Sequence, residues 1–253
     1  MRPLVEQFND LLARLDGAYA QLQGFNADVA HERCTPLATL IGTSEMALRK
    51  GRSNSELIDV VGSNLEELRR LAGIVQDMLF LSQADRGSQA RRTITRSLAT
   101  ELLSVTEYHE AAIAAAGLTL SLDGDAAGAF DLPLLKRAVS NLLSNATRYA
   151  ERGSRLVVSL AQPSATCQVH IAVTNSGPPI PPQELPRIFD RFYRVDKSRT
   201  EAAANHGLGL SIVAAIARMH GGSVFARSSD RETTVGMQLP VSAPGASASA
   251  KPI

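Results

Sequence analysis

Tryptophan is absent from the 253 residues, and Phe and Tyr together bring the aromatic content to only 4%. A core poor in large rings must be assembled mainly from Leu, Val, Ile and Ala, a composition that favours helices. Cysteine is nearly absent too. Cys34 and Cys167 stand far apart with no Cys-x-x-Cys spacing, which indicates neither a disulfide framework nor a zinc site, so each reads first as a lone reduced thiol. No run approaches the roughly 18 consecutive apolar residues of a membrane-spanning helix. The opening "MRPLVEQFNDLLARL" lacks the apolar centre of a signal peptide. The formal net charge is +1, so the basic excess that usually marks a nucleic-acid-binding chain is missing as well. These absences describe a soluble chain, expected in the cytoplasm. With 44% hydrophobic and 20% charged residues, it has ordinary globular composition and length for one large or two modest domains.

What is present begins with helical periodicity. Apolar residues at Leu4, Phe8, Leu11, Leu15, Tyr19, Leu22, Phe25 and Val29 recur at intervals of 3 or 4, the spacing of a coiled-coil seam. The pattern continues through Leu37, Leu40, Ile41 and Leu48, which predicts one long helix reaching about Lys50. Ser53 with Glu56 three residues later is a capping-box signature. It opens a second helix carrying Leu57, Val61, Leu65, Leu68, Leu71, Val75, Met78 and Leu81. Two such helices joined by a short turn make an antiparallel hairpin whose apolar stripe is half exposed. A second copy would close a four-helix bundle, so a homodimer is expected; the alternative is that the stripe packs on the rest of the same chain.

The polar, basic stretch "QADRGSQARRTITR" marks a boundary across residues 83–96. Beyond it, residues 98–115 read as a helix, "LTLSLD" and "GAF" as strands, and Asp131 as the cap of a helix running to about Ala150. The segments "RLVVSLAQ" and "CQVHIAVTN" alternate as strands. A further helix starts near Leu208, and "SVFARSS" and "TVGMQLP" complete an α+β pattern of helices with an antiparallel sheet. The small, polar "SAPGASASAKPI" reads as a disordered tail.

Several features of the second half carry chemistry. Asn141 and Asn145 are four residues apart, so both amides share one helix face. An amide oxygen is a hard ligand suited to Mg²⁺ alongside phosphate oxygens. Arg148 and Tyr149, one turn on, offer a phosphate contact and a ring edge for a base. "NHGLGLSIV" places Gly207, Leu208, Gly209 and Leu210 at a helix start, where free backbone N–H groups and the helix dipole suit a phosphate. Taken alone, each feature has an ordinary structural reading: two polar surface residues, and a plain helix start. There is no P-loop and no dinucleotide fingerprint. Between them, residues 177–207 form a long segment with Phe189, Phe192 and Tyr193, in which Arg187, Arg191, Arg194, Lys197 and Arg199 outnumber the acids. It reads as a lid over a polyphosphate.

The order of the pieces is more specific than any one of them. His31-Glu32-x-x-Thr35-Pro36, Asn141-Leu-Leu-x-Asn145-Ala, Asn175-Ser-Gly177, "IFDRFYR" and "GLGLSIV" resemble the H, N, G1, F and G2 boxes of sensor histidine kinases over about residues 1–241. "ARLDGAYAQLQGFNADVAHE" and "FDRFYRVDKSR" look like the heavy-metal (copper/silver type) sensor subfamily. The resemblance implies the following organisation. Residues 1–26 would be the end of a HAMP signalling helix and residues 27–84 a dimerisation and phosphoacceptor domain. Residues 85–96 would be a linker, residues 97–241 a GHKL-type ATP-binding α/β sandwich, and residues 242–253 the tail. In the family, transmembrane helices and a periplasmic sensor precede this region, giving an inner-membrane anchor.

The implied reaction is ATP-dependent phosphorylation of His31, then transfer to an Asp of a response regulator. Glu32 would orient the imidazole or take its proton, and Thr35 would position a water for the reverse, phosphatase reaction. Asn145 would hold Mg²⁺, and Asn175 would accept from the adenine amino group. Pro36 would bend the helix beside the acceptor, since proline removes an i→i−4 bond. His109, which precedes Glu110, is a rival acceptor without the following Thr-Pro. His220 reads as a helix C-terminal residue whose ring is favoured partly cationic.

The chain departs from the family at Arg33 and Cys34, where Leu and Arg normally stand. It also has Asn175 in place of a more usual Asp, and Asn205-His206 ahead of the second glycine box. The first departure motivates an alternative reading, a degenerate kinase that binds nucleotide or a regulator without catalysis. A GHKL ATPase of another kind is a third.

Overall fold

The computed structural model describes residues 34–49, 53–163, 167–195 and 207–241. They divide between Leu79 and Phe80 into two compact units. His31, Glu32, Arg33, the tail and Asn205-His206 lie outside the described residues.

The first unit contains α1 (Cys34–Arg49), which carries Thr35 and Pro36, and most of α2 (Asn54–Asp85). The capping box forms as the sequence requires. The Ser53 N–H donates to Glu56 Oε2 at 2.9 Å, and the Glu56 N–H donates to Ser53 Oγ at 3.3 Å. A polar clasp joins the two helices: Asn64 Nδ2 donates to Ser44 Oγ at 2.9 Å, while Thr43 Oγ1 donates to Asn64 Oδ1 at 3.0 Å. Leu40, Leu71 and Ile74 are buried, but Ile58 is 70% and Val61 65% exposed, with Ile41, Met46 and Leu65 also open. One hairpin therefore cannot cover its own stripe. Among the described residues, no helix is long and apolar enough to cross a membrane.

The second unit is an α+β sandwich. Its elements are β1 (Thr93–Thr95), α3 (Leu98–Ala115), β2 (Thr119–Gly124), β3 (Gly128–Phe130), α4 (Leu132–Tyr149), β4 (Arg155–Ala161) and β5 (Gln168–Asn175), followed by a 3₁₀ turn (Leu185–Arg187), α5 (Gly209–Met219), β6 (Ser223–Ser228) and β7 (Thr233–Pro240). The strands order as β2-β4-β5-β7-β6, with β1 and β3 forming a separate small ladder. Alternation dictates the layers. Leu156, Val158 and Leu160 of β4, Val169, Ile171 and Val173 of β5, and Val235, Met237 and Leu239 of β7 all point into the core. On the opposing layer, α4 buries Leu135, Ala138, Val139, Leu142, Leu143 and Ala146. α5 is buried continuously from Ser211 to Ala217. Asp131 caps α4 through Leu134 N–H at 3.3 Å, and Ser97 caps α3 through Thr100 N–H at 3.1 Å. Leu142 on α4 is fully buried, so Leu142→Ala is expected to cost about 2–5 kcal/mol, read as a lowered denaturation midpoint.

Two expectations change. The sheet is mixed, because β2 pairs with β4 in parallel, Leu120 facing Leu156. The chain between them carries β3 and α4, the long crossover that a parallel pair needs, whereas alternation within a strand says nothing of its neighbour's direction. The stretch read as a polar boundary also contains β1, a three-residue strand with only Thr95 turned inward.

The two histidines weighed outside the phosphoacceptor motif are structural. His109 is buried, its Nε2 2.8 Å from Ser140 Oγ on α4, and so is no exposed acceptor. His220 is not a cationic cap. Its ring is 1% exposed, Nδ1–H donates to the Ile216 carbonyl at 2.8 Å, and Nε2 accepts the Asp131 N–H at 3.1 Å, which fixes a neutral tautomer. Burial lowers the pKa of both rings, and the nearby Arg92 cation lowers that of His220 further, against the raising effects of the Ile216 carbonyl and Asp131. The unfolded chain therefore takes up these protons first as pH falls. The stability these rings contribute is complete above about pH 6.5 and declines as pH drops toward their lowered folded values. Thermal unfolding at pH 7.5 and 5.5 should show the loss at the lower pH; an unchanged midpoint would contradict it.

Candidate nucleotide site

Beside its buried stripe, α4 presents the half-buried Asn141, Asn145, Arg148 and Tyr149 to one cleft. The other wall is built by Arg194, Gly207, Gly209 and Leu210. Spacings of three and four keep the α4 side chains on one face, as the pattern required. Nothing among the described residues hydrogen-bonds the Asn145 amide. Asn141 is anchored instead, its Nδ2 donating to the Arg137 carbonyl at 3.0 Å. α5 starts at Gly209, and among the described residues no side chain caps its N-terminus, so its first N–H groups and the positive end of its dipole face the cleft where Gly209 borders it.

The glycines have separate reasons. Gly207 has φ 67°, and a Cβ there would lie 2.8 Å from the Phe192 carbonyl carbon. Its own carbonyl accepts the Phe192 N–H at 2.9 Å, closing the base of the intervening segment. Gly177 lets the chain after β5 run against the end of α4, since a Cβ there would sit 2.2 Å from the Tyr149 carbonyl oxygen.

Ser144 and Ile188, which the sequence did not single out, also line the cleft, as does Tyr193, which the sequence placed in the lid without a role of its own. Ser144 lies three residues from Asn141, so helical spacing was its available signal. Tyr193 is held by the Arg187 guanidinium, 4.2 Å above its ring centroid. Other expected residues fall outside the cleft lining. Asn175 is buried at the end of β5, its Nδ2 donating to the Ser176 carbonyl at 3.3 Å, which leaves Oδ1 as its acceptor. Leu208 is buried, and Phe189 lines a neighbouring groove with Leu185, Ala214 and Phe225. Phe192 contributes backbone at the hinge with Gly207.

A cleft with two guanidinium groups, a free helix N-terminus and an unpaired hard amide is chemically suited to a polyphosphate. Comparison with known proteins defines the class. Residues 130–243 match the family described as Histidine kinase-, DNA gyrase B-, and HSP90-like ATPase, and residues 21–87 match the His Kinase A (phospho-acceptor) domain. The chain belongs to the sensor histidine kinases. It is 43% identical over 246 residues to the sensor histidine kinase CusS of Escherichia coli K12, covering 95% of this chain and 50% of that protein. It is 38% identical over 252 residues to the sensor protein CzcS of Cupriavidus metallidurans, covering 99% of this chain and 52% of that protein. The chain thus spans about half the length of these relatives. In fold it resembles the Acinetobacter baumannii histidine kinase AdeS (TM-score 0.69, 20% identity, 83% of this chain and 98% of that one). It also resembles the histidine kinase ThkA solved in complex with the response regulator TrrA (TM-score 0.66, 22% identity, 90% of this chain and 64% of that one).

Proposed function

We propose that this chain is the catalytic portion of an ATP-dependent protein-histidine kinase that phosphorylates His31 and passes the group to an aspartate of a response regulator. The observation that carries the reading is the cleft. Asn141, Asn145, Arg148, Arg194 and the start of α5 converge on it in a domain of the ATPase family, in a chain that also carries a phosphoacceptor domain.

Within this reading the residues divide the work. Arg148, Arg194 and the Gly209 N-terminus neutralise phosphate charge, the main protein contribution to phosphoryl transfer. Tyr193 and Tyr149 border the nucleotide, and Asn175 offers its amide oxygen to the adenine amino group. The Asn145 amide oxygen would hold a Mg²⁺ ion, which would supply charge neutralisation at the phosphates. His31 supplies a neutral imidazole nitrogen, Glu32 orients it or takes its proton, and Thr35 serves the reverse reaction. The exposed stripe of Ile58, Val61 and Leu65 supports pairing with a second copy. Likeness to the copper-type sensors supports a metal-responsive pathway and membrane anchoring through an N-terminal sensor portion, with residues 1–26 ending a HAMP helix.

Titration of the chain with ATP in the presence of Mg²⁺, followed by incubation with purified response regulator, tests the whole reading. Binding, self-phosphorylation and transfer are expected. Binding without phosphorylation, restored by Arg33→Leu with Cys34→Arg, would instead identify a degenerate kinase.

A further inference from the structure

The last six residues of α2, Phe80 to Asp85, belong to the second unit, and Phe80 and Asp85 meet elements that build the cleft or adjoin it. The Arg137 guanidinium on α4 lies 4.2 Å over the Phe80 ring, and the Arg137 carbonyl anchors Asn141. Leu81 is fully enclosed. Asp85 reaches two elements at once. Its Oδ2 accepts from Arg191 at 2.6 Å, and its Oδ1 stands 3.8 Å from Arg218 on α5.

Arg191 does not line the cleft, although Tyr193 and Arg194 just beyond it do. Between them Phe192 has φ 63°, a left-handed conformation that a bulky residue keeps only when its neighbours hold it there. Two tethers bracket it: the Phe192 N–H donates to the Gly207 carbonyl, and Arg191 is held by Asp85. Side chains of the ion pair are 33% and 39% exposed, so the pair adds little to global stability, yet it fixes where this turn sits.

We propose that Asp85 is a positioning residue for nucleotide binding. By anchoring Arg191 it holds Phe192 in its left-handed conformation, and this directs Tyr193 and Arg194 into the cleft. The end of α2 is thereby a working part of the nucleotide site. This inference rests on the nucleotide reading of the cleft.

Its test is ATP binding by the full chain with Mg²⁺, measured calorimetrically for the parent, Asp85→Asn, Asp85→Glu, Arg191→Gln and the double variant Asp85→Asn/Arg191→Gln. Asp85→Asn and Arg191→Gln should each weaken binding about threefold to tenfold with little change in melting temperature. Asp85→Glu should retain most of the affinity, and the double variant should be no weaker than either single one, since both remove the same tether. Parent-like binding by Asp85→Asn, or single effects that multiply in the double variant, would overturn the inference. If Asp85→Asn does not fold, Arg191→Gln reads the tether from its other side, and parent-like binding by that variant overturns it equally. A parent that binds no ATP would remove the nucleotide reading and this inference together; a parent that binds, beside a parent-like Asp85→Asn, removes this inference alone.

Discussion

Asn145→Ala is expected to lower ATP-dependent phosphorylation of the chain roughly a hundredfold or more while leaving the fold intact. The two halves of that expectation have separate causes. Asn145 sits on the cleft face of α4, with no hydrogen bond from the described residues to its amide. Its removal therefore strands no protein partner, and alanine is the better helix former by several tenths of a kcal/mol. Melting temperature should stay level or rise slightly. Activity should collapse because the hard oxygen that would hold Mg²⁺ against the phosphates is gone, and Asn141, whose amide is anchored to the Arg137 carbonyl one turn away, stands in a different place on the helix. Leu142, three residues earlier on the same helix, should behave in the opposite way. Its truncation weakens the core, and activity should follow the folded fraction. Parent-like phosphorylation by Asn145→Ala would show that the amide is not a ligand in the reaction.

The contrast between Asn145 and Leu142 also shows what was legible in the sequence. Asp131 as a cap and the four-residue spacing of Asn141 and Asn145 place α4 and its polar face from the sequence alone, and alternation places β4 and β5. Direction of pairing was not legible. β2 alternates like any strand, and only the crossover through α4 makes it a parallel neighbour of β4. β1 was invisible because three residues with one inward side chain carry no period.

In the site, the polar positions of α4 and the glycines around Leu208 could be read from spacing and order. Asn175, by contrast, lies at a strand end beyond the cleft lining, and Phe189 belongs to the adjacent groove. Tyr193 could be read only as part of the lid, because its place at the cleft depends on the Arg187 guanidinium stacked above it. The Asp85–Arg191 pair joins residues 106 positions apart, a contact that local sequence reasoning has no means to find. His220 illustrates the reverse error. A histidine at a helix C-terminus suggests a cation, but burial and two hydrogen bonds that require one neutral tautomer decide the matter.

The second large effect falls on His31. Its substitution by glutamine keeps a polar side chain of similar reach but removes the imidazole nitrogen that would take the phosphoryl group. Neither His109, the rival acceptor, nor His220 can substitute, since both are buried and committed to the hydrogen bonds described. Nucleotide binding should persist, because the cleft is built entirely within the second unit. Phosphorylation should fall to background. Incubation of parent and His31→Gln chains with γ-labelled ATP and Mg²⁺, followed by acid and alkali treatment of the labelled protein, is the most direct measurement. The account predicts acid-labile, alkali-stable label on the parent and none on His31→Gln, with ATP affinity unchanged. Label that survives the substitution, or that resists acid, would contradict it.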